Sequence, residues 1–340
     1  MSTAARLFGV GVSATALSDS ESEMLERLPP RAVILFSRNI TSLDQTRALV
    51  REIRRLPGPP LLCVDQEGGR VDRLRAALAP SISFREAAER GAAARAGELA
   101  GEACALFGLD VDLAPVVDRL LPGRSESVLR DRCASDEPEE VGRAALEFLK
   151  GLHARGVGGC VKHFPGLGRA DLDTHRDLPR IPADAEEARR DLLPFAATME
   201  AAGAVMVSHA AGPEGDPASL SRAVAEGLLR GNLGFTGAAF SDDLEMGALA
   251  QFGDLPRRCV LAAAAGCDLL LVCSRIDLYG ECVAAVERDV PEPRRAQAAA
   301  RLDAYAQRLR RIREAARVPK RPVDELIADI AKLRSSGREA

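Results

Sequence analysis

Eight short apolar runs recur along the chain, separated by longer segments in which apolar residues are spaced three or four positions apart. Near-continuous apolar runs are typical of parallel strands that are buried on both faces of a sheet. The spacing in the longer segments predicts amphipathic helices that lead from one strand to the next. The predicted strands are Leu7–Val12, Ala32–Phe36, Leu61–Val64, Val111–Val117, Gly159–Val161, Val205–Val207, Ala238–Phe240 and Asp268–Val272.

Helical periodicity is clear in the segment that follows the second predicted strand. Leu43, Val50 and Ile53 lie on one helical face, and Ser42 with Gln45 predicts a capping box at the start of this helix. Similar spacing predicts further helices over residues 141–152, 246–265, 278–286, 302–312 and 326–333.

The number and order of these elements predict the fold class. Eight β–α units in 340 residues fit an α/β fold of the (β/α)8 TIM-type barrel better than a doubly wound sheet, which needs fewer strands. No stretch rich in Pro, Gly and Ser divides the middle of the chain, so we predict a single domain. We expect residues 1–320 to form the barrel domain and residues 321–340 to form a C-terminal helix and tail.

Composition and charge narrow the classes of function. Charged residues make up 28% of the chain and its net charge is −4, which argues against a nucleic-acid or anionic-membrane partner. Tryptophan is absent, and no apolar run reaches the ~18 residues of a membrane span. The first 18 residues loosely imitate a signal peptide, but Gly9 and Gly11 interrupt their apolar stretch, and we favour a buried strand there. We therefore expect a cytoplasmic protein.

The eight cysteines support the same location. They include no C-x-x-C pair, and most lie inside apolar runs such as those around Cys63 and Cys273. Buried reduced thiols of a cytosolic protein therefore fit this sequence better than a disulfide framework.

Polar residues concentrate directly after four of the predicted strands. Because the carboxyl ends of barrel strands form one rim, residues in these positions should lie close together. Taken singly, each motif has a structural interpretation; Asp242 and Asp243, for example, suit the N-cap of a helix. Together they predict a functional site, since charges at strand ends are costly unless they are used. The segments are residues 64–73, 162–175, 208–210 and 241–246.

These segments resemble the β-N-acetylhexosaminidases of glycoside hydrolase family 3, in particular their single-domain bacterial group. The resemblance implies a retaining glycoside hydrolase on a single barrel. It further implies release of terminal N-acetylglucosamine, with muropeptides of cell-wall recycling as the substrate class. The matching segments are LFSRN (35–39), VDQEGGRVDRL (64–74), LAPVVD (113–118), KHFPGLG (162–168) with DTH (173–175), and FSDDLEM (240–246).

The resemblance also implies roles for individual residues. Asp242 matches the nucleophile, and His175 matches the general acid/base with Asp173 as its partner. An imidazole titrates near neutrality, and a carboxylate on its other nitrogen fixes the tautomer and stabilises the imidazolium. His209 is expected to contact the residues that line the site rather than the substrate. Because the first strand carries no H-x-H and no nucleotide fingerprint is present, we expect no metal or organic cofactor. The residues matching those that bind the terminal sugar are Asp65, Arg73, Arg132, Lys162 and His163.

The chain departs from the family pattern at two places. Leu167 stands where the family motif has a second histidine, and the arginine segment leaves a choice between Arg130 and Arg132. These departures bear on substrate fit more than on the chemistry of Asp242 or His175. We expect a monomer whose partner is a small carbohydrate.

Three alternatives remain open at this point. A broader-specificity β-glucosidase of the same family would share these motifs, because specificity lies in loops. A non-catalytic sugar-binding relative is a second possibility, although the residues matching the nucleophile and acid/base are retained. A metal-dependent barrel hydrolase is the third, but the first strand lacks the H-x-H that such sites normally carry. That site would use Lys162, His163, His175, His209 and Asp242.

Overall fold

The centre of the protein is a parallel sheet bent into a barrel, with helices packed around it. The structure is a computed structural model, and it describes residues 3–121, 129–169, 184–211 and 215–336. The predicted fold class, a single α/β barrel of the TIM type, is confirmed. The strands are β1 (Phe8–Gly11), β2 (Ala32–Leu35), β3 (Leu61–Val64), β4 (Gln66–Gly68), β5 (Val71–Asp72), β6 (Val111–Asp112), β7 (Gly158–Gly159), β8 (Val161–Phe164), β9 (Ala204–Val207), β10 (Ala238–Asp243) and β11 (Leu269–Val272).

Nine of these strands form the barrel sheet, in the order β7-β6-β3-β2-β1-β11-β10-β9-β8. Its two end strands, β7 and β8, are consecutive in the chain and are separated only by Cys160. One interrupted strand therefore closes the ring, and counting it once recovers the eight predicted strands. A parallel bridge between Val116 and Lys162 adds to this closure.

Strand bounds differ from the predictions mainly where polar side chains are buried. The strand predicted over Gly159–Val161 continues to Phe164, because Lys162 and His163 are buried and paired. The strand β10 likewise runs on to Asp243. The fourth predicted strand, Val111–Val117, is shorter in the structure, where it is β6, since residues 113–117 leave the ladder around a proline that lacks an N–H. The antiparallel hairpin of β4 and β5 was not predicted.

The described helices surround the barrel. They are α1 (Asp19–Arg27), α2 (Leu43–Ile53), α3 (Phe84–Glu89), α4 (Ala93–Phe107), α5 (Pro138–Ala154), α6 (Ala185–Ala202), α7 (Leu255–Ala265), α8 (Tyr279–Asp289), α9 (Glu292–Ala315) and α10 (Val323–Ser335). Short 3-10 helices cover Ala5–Leu7, Ser37–Asn39, Ala218–Leu220, Gly247–Phe252 and Ile276–Leu278, and a π-helix covers Ala223–Asn232.

Two helix predictions need correction. The capping box is only half formed, because Ser42 Oγ accepts from the Gln45 amide while the Gln45 side chain accepts from the Thr41 amide. The helix predicted over 246–265 is interrupted. Gly253 adopts a φ of 106°, and Asp254 then caps the start of α7 by accepting from the Arg257 amide.

Aromatic pairs attach the helices to the strands. Phe8 meets Tyr279 edge to face with ring centroids 5.5 Å apart, and Phe240 meets Tyr305 in the same way at 5.8 Å. Such pairs contribute about 0.5–1.5 kcal/mol beyond the burial of their area. The Tyr305 hydroxyl also donates to the Gly159 carbonyl at 3.0 Å, so α9 is tied to the closing strand.

The last helix, α10, lies against α4. Leu326 and Ile330 are buried, and Arg321, just before α10, forms a two-point contact with Glu102 of α4 at 2.6 and 3.1 Å. None of the helices in the described segments combines the length and apolar character needed to cross a bilayer. All eight cysteines are buried and free.

Candidate active site

A cavity lined by charged and apolar side chains opens at the carboxyl ends of the barrel strands, where the active sites of such barrels lie. Most of the residues singled out in the sequence line it. Asp173 and His175 lie outside the described residues. The polar residues in its wall are Asp65, Glu67, Arg73, Arg132, Lys162, His163, Asp242 and Asp243.

A tight turn after β3 places two of these carboxylates. Gly68 and Gly69 have φ values of 84° and 58°, and a Cβ on Gly68 would lie 2.0 Å from the Ile82 carbonyl oxygen. Only glycine fits such a close approach in this conformation. Inside the hairpin, the Gln66 side chain donates to Asp72 at 2.8 Å. The turn is therefore held by its close contact with Ile82 on the outside and by the Gln66–Asp72 hydrogen bond on the inside.

Lys162 joins the two carboxylates that this turn places on the rim. Its Nζ lies 2.6 Å from Asp65 Oδ1 and 2.5 Å from Glu67 Oε1. Arg132 contacts Glu67 with two nitrogens, at 2.7 Å and 3.0 Å. Sequence reasoning did not single out Glu67. The signal was its position two residues after Asp65, since alternate residues of an extended segment share a side.

These charges keep one another ionised although they are buried. Burial acts to raise the pKa of Glu67, but Arg132 and Lys162 outweigh it and hold that pKa well below its usual range. Burial acts to lower the pKa of Lys162, but Asp65 and Glu67 raise it well above the ordinary value. The cavity wall therefore presents fixed charges at neutral pH.

His163 connects this network to a further carboxylate below the cavity. Its Nδ1 lies 2.6 Å from Asp118 Oδ2, and its Nε2 lies 3.2 Å from Arg132 Nη2. Of the two candidate arginines, the structure brings Arg132 to the site, whereas Arg130 is exposed and does not line the cavity.

Asp242 stands at the end of β10 and faces the cavity. Within the described residues, the Asp243 amide, at 2.8 Å, is the protein donor to its carboxylate, and no ion pair involves it. Burial acts to raise the pKa of Asp242, but favourable electrostatic interactions with its neighbours, the Asp243 amide and Lys162 among them, hold that pKa below the ordinary value. A carboxylate that is ionised and lacks a paired cation suits nucleophilic attack.

His209 lies behind this strand end rather than in the cavity wall. Its Nε2 is 2.8 Å from the Asp243 carbonyl oxygen, which can only accept, so Nε2 carries the hydrogen. Its Nδ1 then accepts from the Ser219 hydroxyl at 2.7 Å. Burial lowers the pKa of His209, in keeping with a neutral ring. His209 therefore holds the end of β10, next to Asp242.

The described residues do not supply the donor set of a metal hydrolase. No group of three or more His, Cys, Asp or Glu side chains within them has an arrangement that could hold a metal ion. Both ring nitrogens of His209 and both of His163 are already engaged by protein groups.

The family profile described as "Glycosyl hydrolase family 3 N terminal domain" matches residues 5–312 of this chain. The chain belongs to glycosyl hydrolase family 3. A "Beta-hexosaminidase" of Xanthomonas axonopodis pv. citri is 41% identical over 293 residues, covering 82% of this chain and 86% of the relative. One of Idiomarina loihiensis is 36% identical over 301 residues, covering 85% and 89%. The resemblance noted in the sequence is thus confirmed.

Two solved structures agree with this chain in fold. NagZ from Neisseria gonorrhoeae, in complex with N-trifluoroacetyl-D-glucosamine, matches with a TM-score of 0.81 and 28% identity over 97% of this chain and 98% of that one. A family 3 β-N-acetylglucosaminidase from Paenibacillus sp. str. FPU-7 matches with a TM-score of 0.86 and 29% identity, covering 97% and 68%.

Two residues that line the cavity differ from the charged and polar residues around them: Arg73 lacks a partner among the described residues, and Leu167 is apolar. Arg73 makes no hydrogen bond or ion pair within the described residues, and its buried Nε has no partner; its guanidinium carbon lies 6.0 Å from the centroid of the Phe36 ring. Leu167, which replaces the motif histidine, lines the cavity. It belongs to a small apolar cluster with Val116, Leu120, Leu129, Cys133 and Ala210.

Proposed function

We propose that this chain removes terminal, β-linked N-acetylglucosamine with net retention of configuration, acting on muropeptides in the cytoplasm. At the coarser level, the chain is a β-hexosaminidase of glycosyl hydrolase family 3. The observation that carries the proposal is Asp242, an ionised carboxylate that faces the cavity with no ion pair among the described residues.

The proposed reaction proceeds in two steps. Asp242 attacks the anomeric carbon, the bond to the leaving oxygen breaks, and a covalent glycosyl-enzyme forms. His175 donates a proton to the leaving oxygen and then takes one from the water that opens the intermediate. Asp173 orients and stabilises the His175 ring. The roles of His175 and Asp173 rest on the family resemblance.

The cavity wall supplies donors for the hydroxyls of the terminal sugar. Among the described residues, Lys162 Nζ uses two of its three N–H donors, on Asp65 and Glu67, and the third can serve a ligand. Arg73 uses none of its donors on the residues that the structure describes. Asp65 supplies acceptor oxygens, and with Arg132 and His163 these groups form the proposed binding site for the sugar.

The choice of N-acetylglucosamine is supported by the relatives. The Neisseria gonorrhoeae protein was solved with N-trifluoroacetyl-D-glucosamine, and the Paenibacillus relative is described as a β-N-acetylglucosaminidase. The muropeptide substrate rests on the resemblance alone. Eight free, buried cysteines agree with a reducing compartment.

A panel of aryl β-glycosides tests the proposal. The N-acetylglucosaminide should be cleaved with a higher kcat/KM than the glucoside or the xyloside, and NMR should show the β anomer as the first product. A muropeptide with terminal N-acetylglucosamine should be cleaved more efficiently than an N-acetylglucosamine disaccharide. A preferred glucoside would favour the β-glucosidase alternative, and no hydrolysis of any glycoside would favour a sugar-binding protein.

A further inference from the structure

Asp118 is a buried carboxylate that lies below the cavity, beside the proposed sugar-binding residues. It is 1% exposed and does not line the cavity. Its oxygens accept three N–H groups, from His163 Nδ1 at 2.6 Å, the His163 amide at 3.2 Å and the Leu167 amide at 2.7 Å. Within the described residues, no lysine or arginine forms an ion pair with it.

These contacts select one tautomer of His163. An ionised carboxylate can only accept, so Nδ1 must carry the ring hydrogen that faces Asp118. On the other side of the ring, Arg132 Nη2 is 3.2 Å from Nε2, and a guanidinium can only donate. Nε2 is therefore the unprotonated acceptor. Both neighbours agree on the neutral Nδ1–H form.

Contacts from the His163 ring continue to other residues of the site. Arg132 Nη2 contacts both His163 Nε2 and Glu67 Oε1, so the plane of the guanidinium depends on the His163 ring. Glu67 in turn contacts Lys162. A single carboxylate thus stands at the start of a chain of contacts that reaches three residues of the proposed sugar site.

We propose that Asp118 is a positioning residue: it selects the Nδ1–H tautomer of His163 and thereby keeps Arg132, Glu67 and Lys162 in the arrangement that the sugar meets. This inference relies on the proposed function for the identity of the ligand. The tautomer itself is a property of the free enzyme.

Asp118→Asn removes one of the two acceptor oxygens of the carboxylate. Both oxygens of Asp118 accept from N–H groups, and a carboxamide has a single oxygen. If its oxygen serves the Leu167 amide, its NH₂ faces His163 Nδ1 and forces the hydrogen onto Nε2, against Arg132. We expect kcat/KM for the aryl N-acetylglucosaminide to fall by about 10–100-fold, the range found when a carboxylate that orients a metal-binding histidine is lost.

The direct readout is the ¹⁵N–¹H spectrum of the histidine side chains. The chain has four histidines, so a His163→Gln spectrum assigns the signal of His163. The wild type should show the Nδ1–H form, Asp118→Asn the Nε2–H form, and Asp118→Glu, which keeps a carboxylate, should retain the wild-type form. An Nε2–H form in the wild type, which needs no variant to fold, would overturn the proposal, as would an unchanged tautomer in Asp118→Asn.

Asp110→Asn is the matched control. Asp110 is also a buried carboxylate that accepts a backbone amide, from Leu62 at 2.8 Å, but it lies at the opposite end of the barrel. It should alter thermal stability without changing the His163 tautomer. A tautomer change in this variant too would show a general loss of packing and contradict the proposal. If the wild type cleaves no glycoside, the proposed function fails, while the spectrum still decides the role of Asp118.

Discussion

The two ends of the barrel differ in how completely their charged side chains are paired with protein groups. At the amino ends of the strands, Asp268 is wholly buried and is paired with Arg230, Arg294 and Arg301 at 2.6, 3.1 and 3.3 Å. Asp110 is paired there with Arg54 and Arg313. Each of these carboxylates also accepts a backbone amide of a neighbouring strand.

At the carboxyl ends, Asp242 and Arg73, which are of opposite charge, have no such partners among the residues that the structure describes. Asp242 accepts only the Asp243 amide from the described residues, and Arg73 makes no hydrogen bond or ion pair with them. Both face the same cavity. The buried carboxylates at the amino end therefore hold helices and strands together. At the carboxyl end, the charges around Lys162 are paired as well, but Asp242 and Arg73 stay available for a ligand, as expected at this end of a TIM-type barrel.

Asp242→Asn gives the largest expected effect. It removes the proposed nucleophile, so kcat for an aryl N-acetylglucosaminide should fall by ~10⁴-fold or more, as it does when other covalent nucleophiles are removed. Stability should change little, because no ion pair is lost among the described residues. Steady-state kinetics and thermal unfolding measure the two effects. Activity close to that of the wild type would mean that Asp242 is not the nucleophile.

Asp268→Asn should do the reverse. It removes the negative charge that three buried or half-buried arginines face. Breaking a buried ion pair in this way typically lowers the free energy of unfolding by about 3–5 kcal/mol. Denaturant unfolding should show this loss of stability, while kcat/KM of the folded enzyme at low temperature stays near that of the wild type. A selective loss of kcat/KM with unchanged stability would remove the contrast between the two ends.

The contrast also explains which parts of the molecule the sequence predicts. Strands such as Leu61–Val64 are apolar throughout, and their predicted bounds match the structure. Where a strand ends in charged residues, as at Lys162 or Asp242, the pattern stops too early. Those side chains are buried because distant residues pair with them, and such partners cannot be identified from local periodicity.

The residues of the site differ in the same way in whether the sequence predicts them. The motifs indicate Asp65, Arg132, Lys162 and Asp242, because they follow strands and match a family pattern, and the structure places them in one cavity. Glu67 and Asp118 lie in the same motifs but were not singled out. Their contacts are with other polar residues of the site, and these contacts are known only once the fold has brought the partners together.

Arg73→Met tests whether Arg73 binds the sugar at the carboxyl end. It removes donors proposed to bind sugar hydroxyls, and hydrogen bonds to charged groups contribute about 1.5–3 kcal/mol, so kcat/KM should fall about 10–100-fold. Stability should be unchanged, since no protein partner is lost among the described residues. Arg294→Met, at the amino end, is the control; it should lower Tm and leave kcat/KM unchanged. Equal effects of the two variants on kcat/KM would contradict the assignment of Arg73 to the sugar.

Asp112 follows neither pattern, and the effect expected for it is a dependence of stability on pH. It is wholly buried at the end of β6; Oδ1 accepts from the Gln66 amide at 2.9 Å, and Oδ2 has no partner in the described part of the chain. Burial raises the pKa of Asp112 to about 8, with Asp65 and Glu67 adding to the rise against the Gln66 amide and Lys162. The folded protein therefore holds a proton on Asp112 at neutral pH that the unfolded chain has released.

Because the unfolded chain loses this proton near its ordinary pKa of 3.8 and the folded protein only near 8, Asp112 lowers stability progressively as pH rises between these values. Asp112→Asn cannot ionise, so its Tm relative to the wild type should rise with pH, by at most roughly 2 °C per pH unit. Thermal unfolding of both proteins near pH 5 and near pH 8 measures this difference. A difference in Tm that is the same at both pH values would show that Asp112 ionises alike in the two states. In that case Asp112 would have a partner that stabilises its charge, as the carboxylates at the amino end have.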